Sequence, residues 1–281
     1  MKFGILYTRI RKDEKRLIES AASRGWEVVL LDDHKITFAL EHNTIDADII
    51  LERGTHHHRA LESLTILESF GIPTVNSATT ARICGSKFLS TEALLLGGIP
   101  MPKTAIAFTT EKAYELMEEI GYPIVMKPAI GSWGALLSKV NDREAAEAVL
   151  THKQKLGSYH HAVFYLQKFV EKKRDIRVFV VGNKVIGARE FRSDHWSYTL
   201  DKTTEVVACH LDDELQQLSL NAATAVKGDV VAVDIIEDIS GQRFVIEVEY
   251  TMEFSKLFSP VESDAIAAEI LDVVDSKMQH A

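Results

Sequence analysis

Residues 2–31, KFGILYTRIRKDEKRLIESAASRGWEVVLL, carry the order strand, helix, strand. Lys2–Tyr7 and Glu27–Leu31 are short apolar runs of the kind that form buried strands. Between them, Asp13–Arg24 repeats apolar residues at helical spacing and stops at Gly25. Elements of these lengths in this order favour a βαβ unit, in which the two strands lie parallel in one sheet.

The same alternation continues through the next stretch of the chain. Apolar runs at Asp48–Leu51 and Pro73–Asn76 flank a second amphipathic helix at Ala60–Phe70. No GxGxxG pattern follows the first strand, so the dinucleotide-binding fingerprint is absent. The sequence therefore predicts an N-terminal, Rossmann-like parallel α/β subdomain over residues 1–84.

The remainder of the chain combines helices with antiparallel strands, so the fold class is α/β with α+β parts. Helices are predicted at Lys87–Leu96, Glu111–Ile120, Asp142–Lys155 and Ala265–Lys277. Strand pairs turn at Gly182-Asn183 and at Ser240-Gly241. We expect a small central α+β subdomain over residues 85–165 and a C-terminal antiparallel α+β subdomain over residues 166–281.

The composition is that of an ordinary globular protein. The 281 residues are 46% hydrophobic and 26% charged, which excludes a disordered, collagen-like or coiled-coil chain. Lys and Arg number 32 against 41 Asp and Glu, and the net charge of −9 argues against nucleic-acid or anionic-membrane binding. Two cysteines are too few for a disulfide framework. With no signal-peptide pattern and no apolar run of membrane-spanning length, we expect a cytoplasmic protein.

A lysine precedes a glycine-rich stretch in the central part. Lys127 ends the apolar strand pattern YPIVMKP, and Gly131-Ser132-Trp133-Gly134 follows directly. A lysine beside such a loop can hold nucleotide phosphates, because it supplies charge while the loop brings main-chain N–H groups close. A surface lysine and an ordinary turn are the alternative.

Charged residues gather on the first predicted hairpin. Pairing outward from its two-residue turn sets Arg177 opposite Ala188 and Asp175 opposite Glu190. Alternation then places these charges and Arg192 on one sheet face. An anion-binding site and a solvated face are both compatible with this pattern, since arginine binds carboxylate and phosphate with two nitrogens at once.

Three carboxylates converge on the second predicted hairpin. Asp234 ends an apolar run, and Glu247 and Glu249 lie two apart on the strand that pairs with it. Such a group repels itself unless a cation joins it, and oxygen ligands suit Mg²⁺. The alternative is that one or two of them point to solvent.

Other reactive residue types give weaker signals. His56-His57-His58 do not share a helix face, so a polar helix start is favoured over a metal site. Cys84 and Cys209 lack nearby partners in the sequence and are expected to be structural.

Taken together, these stretches resemble the ATP-grasp superfamily. Within it, the chain is most similar to the LysX/ArgX group of amino-acid ligases, which act with an amino-group carrier protein and are related to the RimK glutamate ligases. The resemblance rests on ILYTRIR (5–11), CGSK (84–87), VMKP with IGSWG (125–128 and 130–134), RDIRVFVV (174–181), VAVD (231–234) and TMEF (251–254). It implies the ATP-grasp fold over nearly the whole chain.

The resemblance also implies an activity and the residues that serve it. The activity is ATP-dependent ligation of the α-amine of 2-aminoadipate or glutamate to the C-terminal Glu of a small acidic carrier protein, through an acyl phosphate, in lysine or arginine biosynthesis. Positions implied to bind ATP are Lys87, Lys127, Gly131, Ser132, Trp133, Gly134, Gln167, Lys168, Phe169, Val170 and Asp175. Arg177 and Arg192 match the catalytic positions, and Asp234, Glu247 and Glu249 match the Mg²⁺ ligands.

The chain departs from the family pattern at several of these places. Glu249 stands where the family has Asn, and Thr203 and Thr204 stand where it has two glycines. The stretch Ser255–Asp264 also lacks the family's usual substrate-side sequence. Two other interpretations therefore stay open: a RimK-like glutamate ligase acting on another acceptor, and a diverged homologue that binds nucleotide or carrier without ligation.

The partners follow from the same resemblance. We expect a carrier protein, an amino-acid substrate and a homo-oligomer, with no nucleic acid and no membrane. An acidic protein that binds an acidic carrier must concentrate positive charge around its cleft. The candidates for that basic surface are Lys172, Lys173, Arg174, Arg177 and Arg192.

Overall fold

A computed structural model describes residues 1–128, 136–156, 163–193, 195–197 and 204–279. Its helices are α1 (Lys12–Ser23), α2 (His57–Ser69), α3 (Ala78–Cys84), α4 (Lys87–Leu96), α5 (Thr110–Ile120), α6 (Arg143–Leu156), α7 (Asp213–Ala225) and α8 (Pro260–Gln279). Its strands are β1 (Lys2–Tyr7), β2 (Glu27–Asp32), β3 (Ile49–Arg53), β4 (Thr74–Val75), β5 (Thr104–Ala107), β6 (Ile124–Lys127), β7 (Ser138–Val140), β8 (Phe164–Lys168), β9 (Lys172–Val181), β10 (Lys184–Arg192), β11 (Glu205–Ala208), β12 (Val230–Asp238) and β13 (Arg243–Glu249). No helix in these ranges is long and apolar enough to cross a membrane.

The first sheet is parallel, as the βαβ pattern predicts. Its strand order is β2-β1-β3-β4. Phe3 and Ile5 of β1 are fully buried in a core that Leu17 of α1 and Ile270 of α8 also enter. The C-terminal helix therefore completes the core of the N-terminal part, and chain ends that are far apart in sequence fold together.

The second sheet has the order β5-β8-β6-β7 and is antiparallel. Met117 of α5, Leu150 of α6 and Met126 of β6 pack together on one face. Side chains alternate along a strand, so the neighbour of Met126, Lys127, points from the other face. Because β8 pairs with β5 and β6, residues 166–168 lie in this sheet, although the sequence analysis assigned them to the C-terminal subdomain. The three-part division itself stays a prediction.

The third sheet has the order β11-β10-β9-β12-β13. One face, with Val178 and Val233, packs against Leu215 of α7. The other face, with Phe179 and Ala232, joins the core shared by the first sheet and α8. The third sheet therefore lies between α7 and the N-terminal part, and polar residues on its second face point toward the rest of the molecule.

Asn76, just after β4, fixes the first sheet to the third. Its amide nitrogen donates to the carbonyl oxygens of Val230 and Tyr250, both at 2.7 Å. Its amide oxygen accepts from the main-chain nitrogens of Asp229 and Val230 at 2.7 and 2.9 Å. One buried side chain thus satisfies four main-chain groups at the start of β12 and the end of β13.

The segment after β13 is also held by the N-terminal part. Arg53 Nη1 donates to the Met252 carbonyl at 2.8 Å, and its Nε lies 3.0 Å from Glu14 Oε1. Both carboxylate oxygens of Asp13 accept main-chain N–H groups, from Phe254 at 3.0 Å and Ser255 at 2.8 Å. The stretch TMEF is therefore positioned by residues from the ends of β3 and α1.

The hairpin of β9 and β10 has its predicted two-residue turn but a different register. The extra residue Ile186 forms a β-bulge, so Arg177 faces Arg189 and Asp175 faces Phe191. Glu190 and Arg192 consequently point to the opposite face from Arg177 and Asp175. The prediction that these four charges share one face is wrong, because a single bulged residue reverses the faces of everything beyond it.

Candidate active site

Residues from each of the three charged clusters found in the sequence meet between the second and third sheets. Asp234 on β12 pairs with Arg177 on β9 and with Glu247 on β13, so all three side chains leave the third sheet on one face. Glu249 is two residues further along β13 on that face. The predicted convergence of the three carboxylates follows directly from this register.

Arg177 binds two of the three carboxylates. Its Nε and Nη2 donate to the two oxygens of Asp234 at 2.7 and 2.8 Å, in the two-pronged geometry that suits arginine. Its Nη1 lies 3.0 Å from Glu249 Oε2. Burial raises the pKa of Glu249, Arg177 opposes that rise, and the charge of Asp234 adds to it.

Two lysines face the same group of acids. Lys87, the first residue of α4, donates from Nζ to Glu247 Oε1 at 2.8 Å. Lys127, at the end of β6, is 9% exposed. Burial lowers the pKa of Lys127 to about 8, with Lys87 adding to the fall and Glu247 opposing it. The lysines from two different elements thus share one electrostatic environment with Glu247.

Three cations and three carboxylates therefore converge at one place. They are Lys87, Lys127, Arg177, Asp234, Glu247 and Glu249. Oxygen donors from two paired strands are the ligands that Mg²⁺ prefers, so Asp234 and Glu247 fit a magnesium ion that also holds phosphate. The cations beside them suit the phosphate oxygens themselves.

Two further predicted nucleotide-binding residues, Gln167 and Lys168, lie on β8, the strand that pairs with β6 and Lys127 in the second sheet. Gln167 is buried, shares the Lys127 face and donates from Nε2 to Thr104 Oγ1 at 3.0 Å. Lys168 points away and donates to the carbonyls of Gly121 and Tyr122 at 2.8 and 3.0 Å.

The two residues beyond Lys168, Phe169 and Val170, are partly buried. Phe169 stacks under the ammonium of Lys139, 3.7 Å from the ring centre. Asp175 is buried and ion-paired with Lys172, and burial raises the pKa of its carboxyl. The roles assigned to these positions stay predictions.

Some predicted residues lie outside the described parts of the chain. They are Gly131, Ser132, Trp133 and Gly134 of the glycine-rich stretch, together with Thr203.

The expected basic surface is largely neutralised. Arg174 pairs with Glu190 and Glu237 at 3.1 and 2.7 Å, and Arg192 pairs with Glu190 at 2.7 Å. Lys173 also reaches Glu237, at 3.2 Å. These residues form a salt-bridge network beside α7 instead of a free positive patch. The catalytic role of Arg192 stays a prediction, on a face that Arg177 does not share.

A second acidic group occurs at the end of β2. Among the described residues, only Asp32, Asp33 and His34 bring three metal-ligand atoms within 4.8 Å of one another. Asp33 accepts a hydrogen bond from Thr8 Oγ1 at 2.7 Å and pairs with Arg59 at 3.2 Å. These partners already neutralise the carboxylate, so we assign the group a structural role that links β1, β2 and α2.

His57, which the sequence predicts to be part of a polar helix start, makes contacts beside the candidate site. His57 is the first residue of α2, and its Nδ1 lies 3.1 Å from the hydroxyl of Tyr250. Tyr250 is the residue that follows Glu249 in the sequence. The run of three histidines gave the signal, but nothing in the sequence showed that the middle one contacts Tyr250 and Gly85.

The architecture is that of the ATP-grasp fold. It consists of a parallel α/β unit, an antiparallel central sheet, and a third sheet whose clustered acids face two lysines. Comparison with known families agrees. Residues 84–274 match the RimK-like ATP-grasp domain, and residues 3–83 match the LysX preATP-grasp domain. The chain belongs to the RimK-like ATP-grasp family, and this membership implies the use of ATP.

Individual relatives are similar over most of their length. The chain is 31% identical over 248 residues to the alpha-aminoadipate–LysW ligase LysX of Saccharolobus solfataricus, covering 87% of this chain and 90% of that protein. It is 29% identical to the glutamate–LysW ligase ArgX of Sulfolobus acidocaldarius, over 98% of each chain. A RimK domain ATP-grasp protein of Sphaerobacter thermophilus superposes with a TM-score of 0.81 at 28% identity, covering 97% of this chain and 99% of that one.

Proposed function

We propose that the chain joins the α-amine of 2-aminoadipate or glutamate to the C-terminal Glu of a LysW-type carrier protein. The observation that carries the proposal is the meeting of Lys87, Lys127 and Arg177 with three carboxylates at one face of the third sheet. The relatives named as LysX and ArgX ligases support the choice of carrier and amino acid.

The reaction has two balanced steps. A carboxylate oxygen of the carrier attacks the terminal phosphorus of ATP, so a carboxyl–phosphate bond forms and ADP leaves. The amine of the amino acid then attacks the acyl carbon, inorganic phosphate leaves, and the nitrogen loses a proton. Lys87 and Lys127 bind phosphate oxygens, and their charge offsets the negative charge that builds up in both steps.

Arg177 also supplies positive charge at the phosphate site. Its guanidinium holds Asp234 and Glu249 in place and presents a fixed positive charge beside the phosphates. Magnesium held by Asp234 and Glu247 would neutralise phosphate oxygens further.

The direct test is a reconstituted reaction. Purified protein is mixed with ATP, magnesium, a LysW-type carrier and either amino acid, and ADP release and carrier mass are followed. We expect ADP only in the complete mixture and a carrier heavier by one amino-acid residue. Lys127→Met serves as the inactive control, and Lys112→Met, on the exposed side of α5, as the matched active one. ADP release without any mass change of the carrier would contradict the proposed acceptor.

One observation favours a second candidate, a nucleotide-binding homologue with little turnover. Glu249 adds a negative charge that Arg177 must share with Asp234, whereas the Asn of the resembling family would leave Arg177 with one carboxylate. Under this alternative, Glu249→Asn raises the rate of ADP release. Under the main proposal, the wild type is already active and Glu249→Asn changes the rate little or lowers it.

A further inference from the structure

His57 lies where three separate parts of the chain meet. It begins α2 in the N-terminal part, its ring is 6.1 Å from the ring of Tyr250 at 75°, and it lies against Gly85 between α3 and α4. Tyr250 follows Glu249, and Gly85 stands two residues before Lys87. The imidazole therefore contacts the two segments that carry a phosphate-site lysine and a metal-site carboxylate.

The contact with Gly85 is close enough to dictate the residue type. A Cβ atom at position 85 would lie 1.8 Å from His57 Cε1 and 2.2 Å from Nε2. Gly85 has φ −72° and ψ −11°, a conformation that any residue adopts. The backbone conformation therefore does not require glycine at position 85. Glycine is required there because the imidazole of His57 fills the space that a side chain would occupy.

The contact with Tyr250 is a directed hydrogen bond. Burial raises the pKa of the Tyr250 phenol and lowers the pKa of His57, so the phenol keeps its proton and the ring is neutral. The hydroxyl lies 3.1 Å from Nδ1, and a neutral imidazole accepts this hydrogen bond at Nδ1 in one tautomer and donates it from Nδ1 in the other. Tyr250 is held a second time through its carbonyl, which accepts from Asn76 at 2.7 Å.

We propose that His57 is a positioning residue that sets the spacing between the start of α4, with Lys87, and the end of β13, with Glu249. The proposal rests on the proposed function, since it concerns the nucleotide site of that reaction. His57 does not touch the phosphates. It acts by filling the gap between Gly85 and Tyr250, so that Lys87 and Glu247 meet at their 2.8 Å separation.

The geometry supplies a test in which a second substitution repairs the first. In the wild type, Gly85→Ala pushes the new methyl group into the imidazole. In the His57→Ala background, the same methyl group enters the space that the ring has left. Gly85→Ala is therefore expected to weaken binding of a non-hydrolysable ATP analogue with magnesium at least tenfold in the wild type, and less than twofold beside His57→Ala.

A second pair of variants separates the hydrogen bond from the packing. His57→Asn keeps an acceptor near the place of Nδ1, whereas His57→Leu fills space without one. We expect His57→Asn to bind the nucleotide within about twofold of wild type and His57→Leu about fivefold more weakly, the loss of one neutral hydrogen bond. His152→Leu on the exposed side of α6 is the matched control and should bind like the wild type.

Calorimetry gives the nucleotide Kd, and steady-state kinetics give the KM for the amino acid. A positioning role changes the nucleotide Kd and leaves the amino-acid KM within twofold, whereas a purely structural role would move both with the unfolding temperature. Equal effects of Gly85→Ala in both backgrounds, or equal binding by His57→Asn and His57→Leu, would overturn the inference alone. A wild type that binds no magnesium nucleotide would overturn the proposed function as well.

Discussion

Glu52, at the end of β3, is a buried carboxyl whose titration should control stability. It is 2% exposed and accepts hydrogen bonds from the Thr251 hydroxyl at 2.7 Å and from the Gly54 main-chain nitrogen. Burial raises its pKa from 4.5 to about 7, against the opposing effects of Thr251 and of the Arg53 charge. Glu52→Gln keeps the shape, donates to Thr251, accepts from Gly54 and carries no charge.

The size and sign of the expected stability difference follow from the pKa of Glu52. The unfolded chain ionises Glu52 near pH 4.5 and the folded chain near pH 7, so rising pH lowers the free energy of the unfolded state first. The stability of the wild type is therefore lost between these pH values and is constant above them. A pKa increase from 4.5 to about 7 corresponds to about 3 kcal/mol at 1.36 kcal/mol per pH unit.

Urea unfolding of both proteins from about pH 4.5 to 8 measures this difference. Glu52→Gln should exceed the wild type by about 3 kcal/mol at pH 8 and by less than about 1 kcal/mol at pH 5. Glu62→Gln on the exposed side of α2 is the matched control, with no pH-dependent gain expected. Parallel stability curves for wild type and Glu52→Gln across this range would refute the reasoning.

Three further substitutions test other parts of the structure. Lys127→Met removes a buried charge, so at pH 7 it should raise the unfolding free energy by up to about 3 kcal/mol, and this gain should fade from pH 8 to 10.5. The same substitution should lower the nucleotide affinity about tenfold or more in calorimetry, because it removes a phosphate-binding charge. In the wild type, that affinity should itself decline as pH rises through about 8. Asn76→Asp replaces a donor to two carbonyls by a negative charge and should cost at least about 3 kcal/mol in urea unfolding, whereas Asn43→Asp on an exposed loop should cost under about 1 kcal/mol. Arg243→Lys loses the double contact with Asp212 at the start of α7, and we expect a loss of about 1–2 kcal/mol by the same measurement.

The regular parts of the fold could be predicted because their signals are local. The helix expected over Lys87–Leu96 is observed with the same ends, since Ser86 caps its first turn and Gly97 follows its last. The parallel first sheet follows from apolar runs separated by a helix. By contrast, α7 and the short strands β5 and β11 could not be predicted, because their residues mix polar and apolar types without a clean period.

The register of the β9–β10 hairpin depends on a contact that no local pattern contains. The bulge at Ile186 lies next to Gly187, where an added Cβ would come within 2.8 Å of the Phe258 ring. Phe258 in turn meets Phe179 edge to face, with ring centres 4.8 Å apart, and lies under the guanidinium of Arg189. A ring from beyond TMEF thus lies against β10 beside the bulge, and this contact joins residues about 70 positions apart in the chain.

The candidate site likewise has some contacts that the sequence predicts and others that it does not. The convergence of Asp234, Glu247 and Glu249 follows from strand alternation and one hairpin, so the sequence predicted it. The pairing of Arg177 with Asp234 depends on β9 lying beside β12, more than 50 residues later in the chain. The positioning role proposed for His57 depends on the packing of three segments, so the sequence of any one segment could not predict it.

These pairings explain how a chain of net charge −9 can present a site for a polyanion. Two of the three cations of the site stand beside carboxylates: Arg177 beside Asp234 and Glu249, and Lys87 beside Glu247. A buried cation without such a partner would carry a desolvation penalty that the lowered pKa of Lys127 already shows in part. If phosphates and magnesium bind together as proposed, the phosphates would replace the carboxylates beside the cations, and magnesium would replace the cations beside the carboxylates. The total charge to be buried then stays nearly balanced. Nucleotide without magnesium would leave the carboxylates facing the phosphates, so we expect its affinity to be the lower of the two.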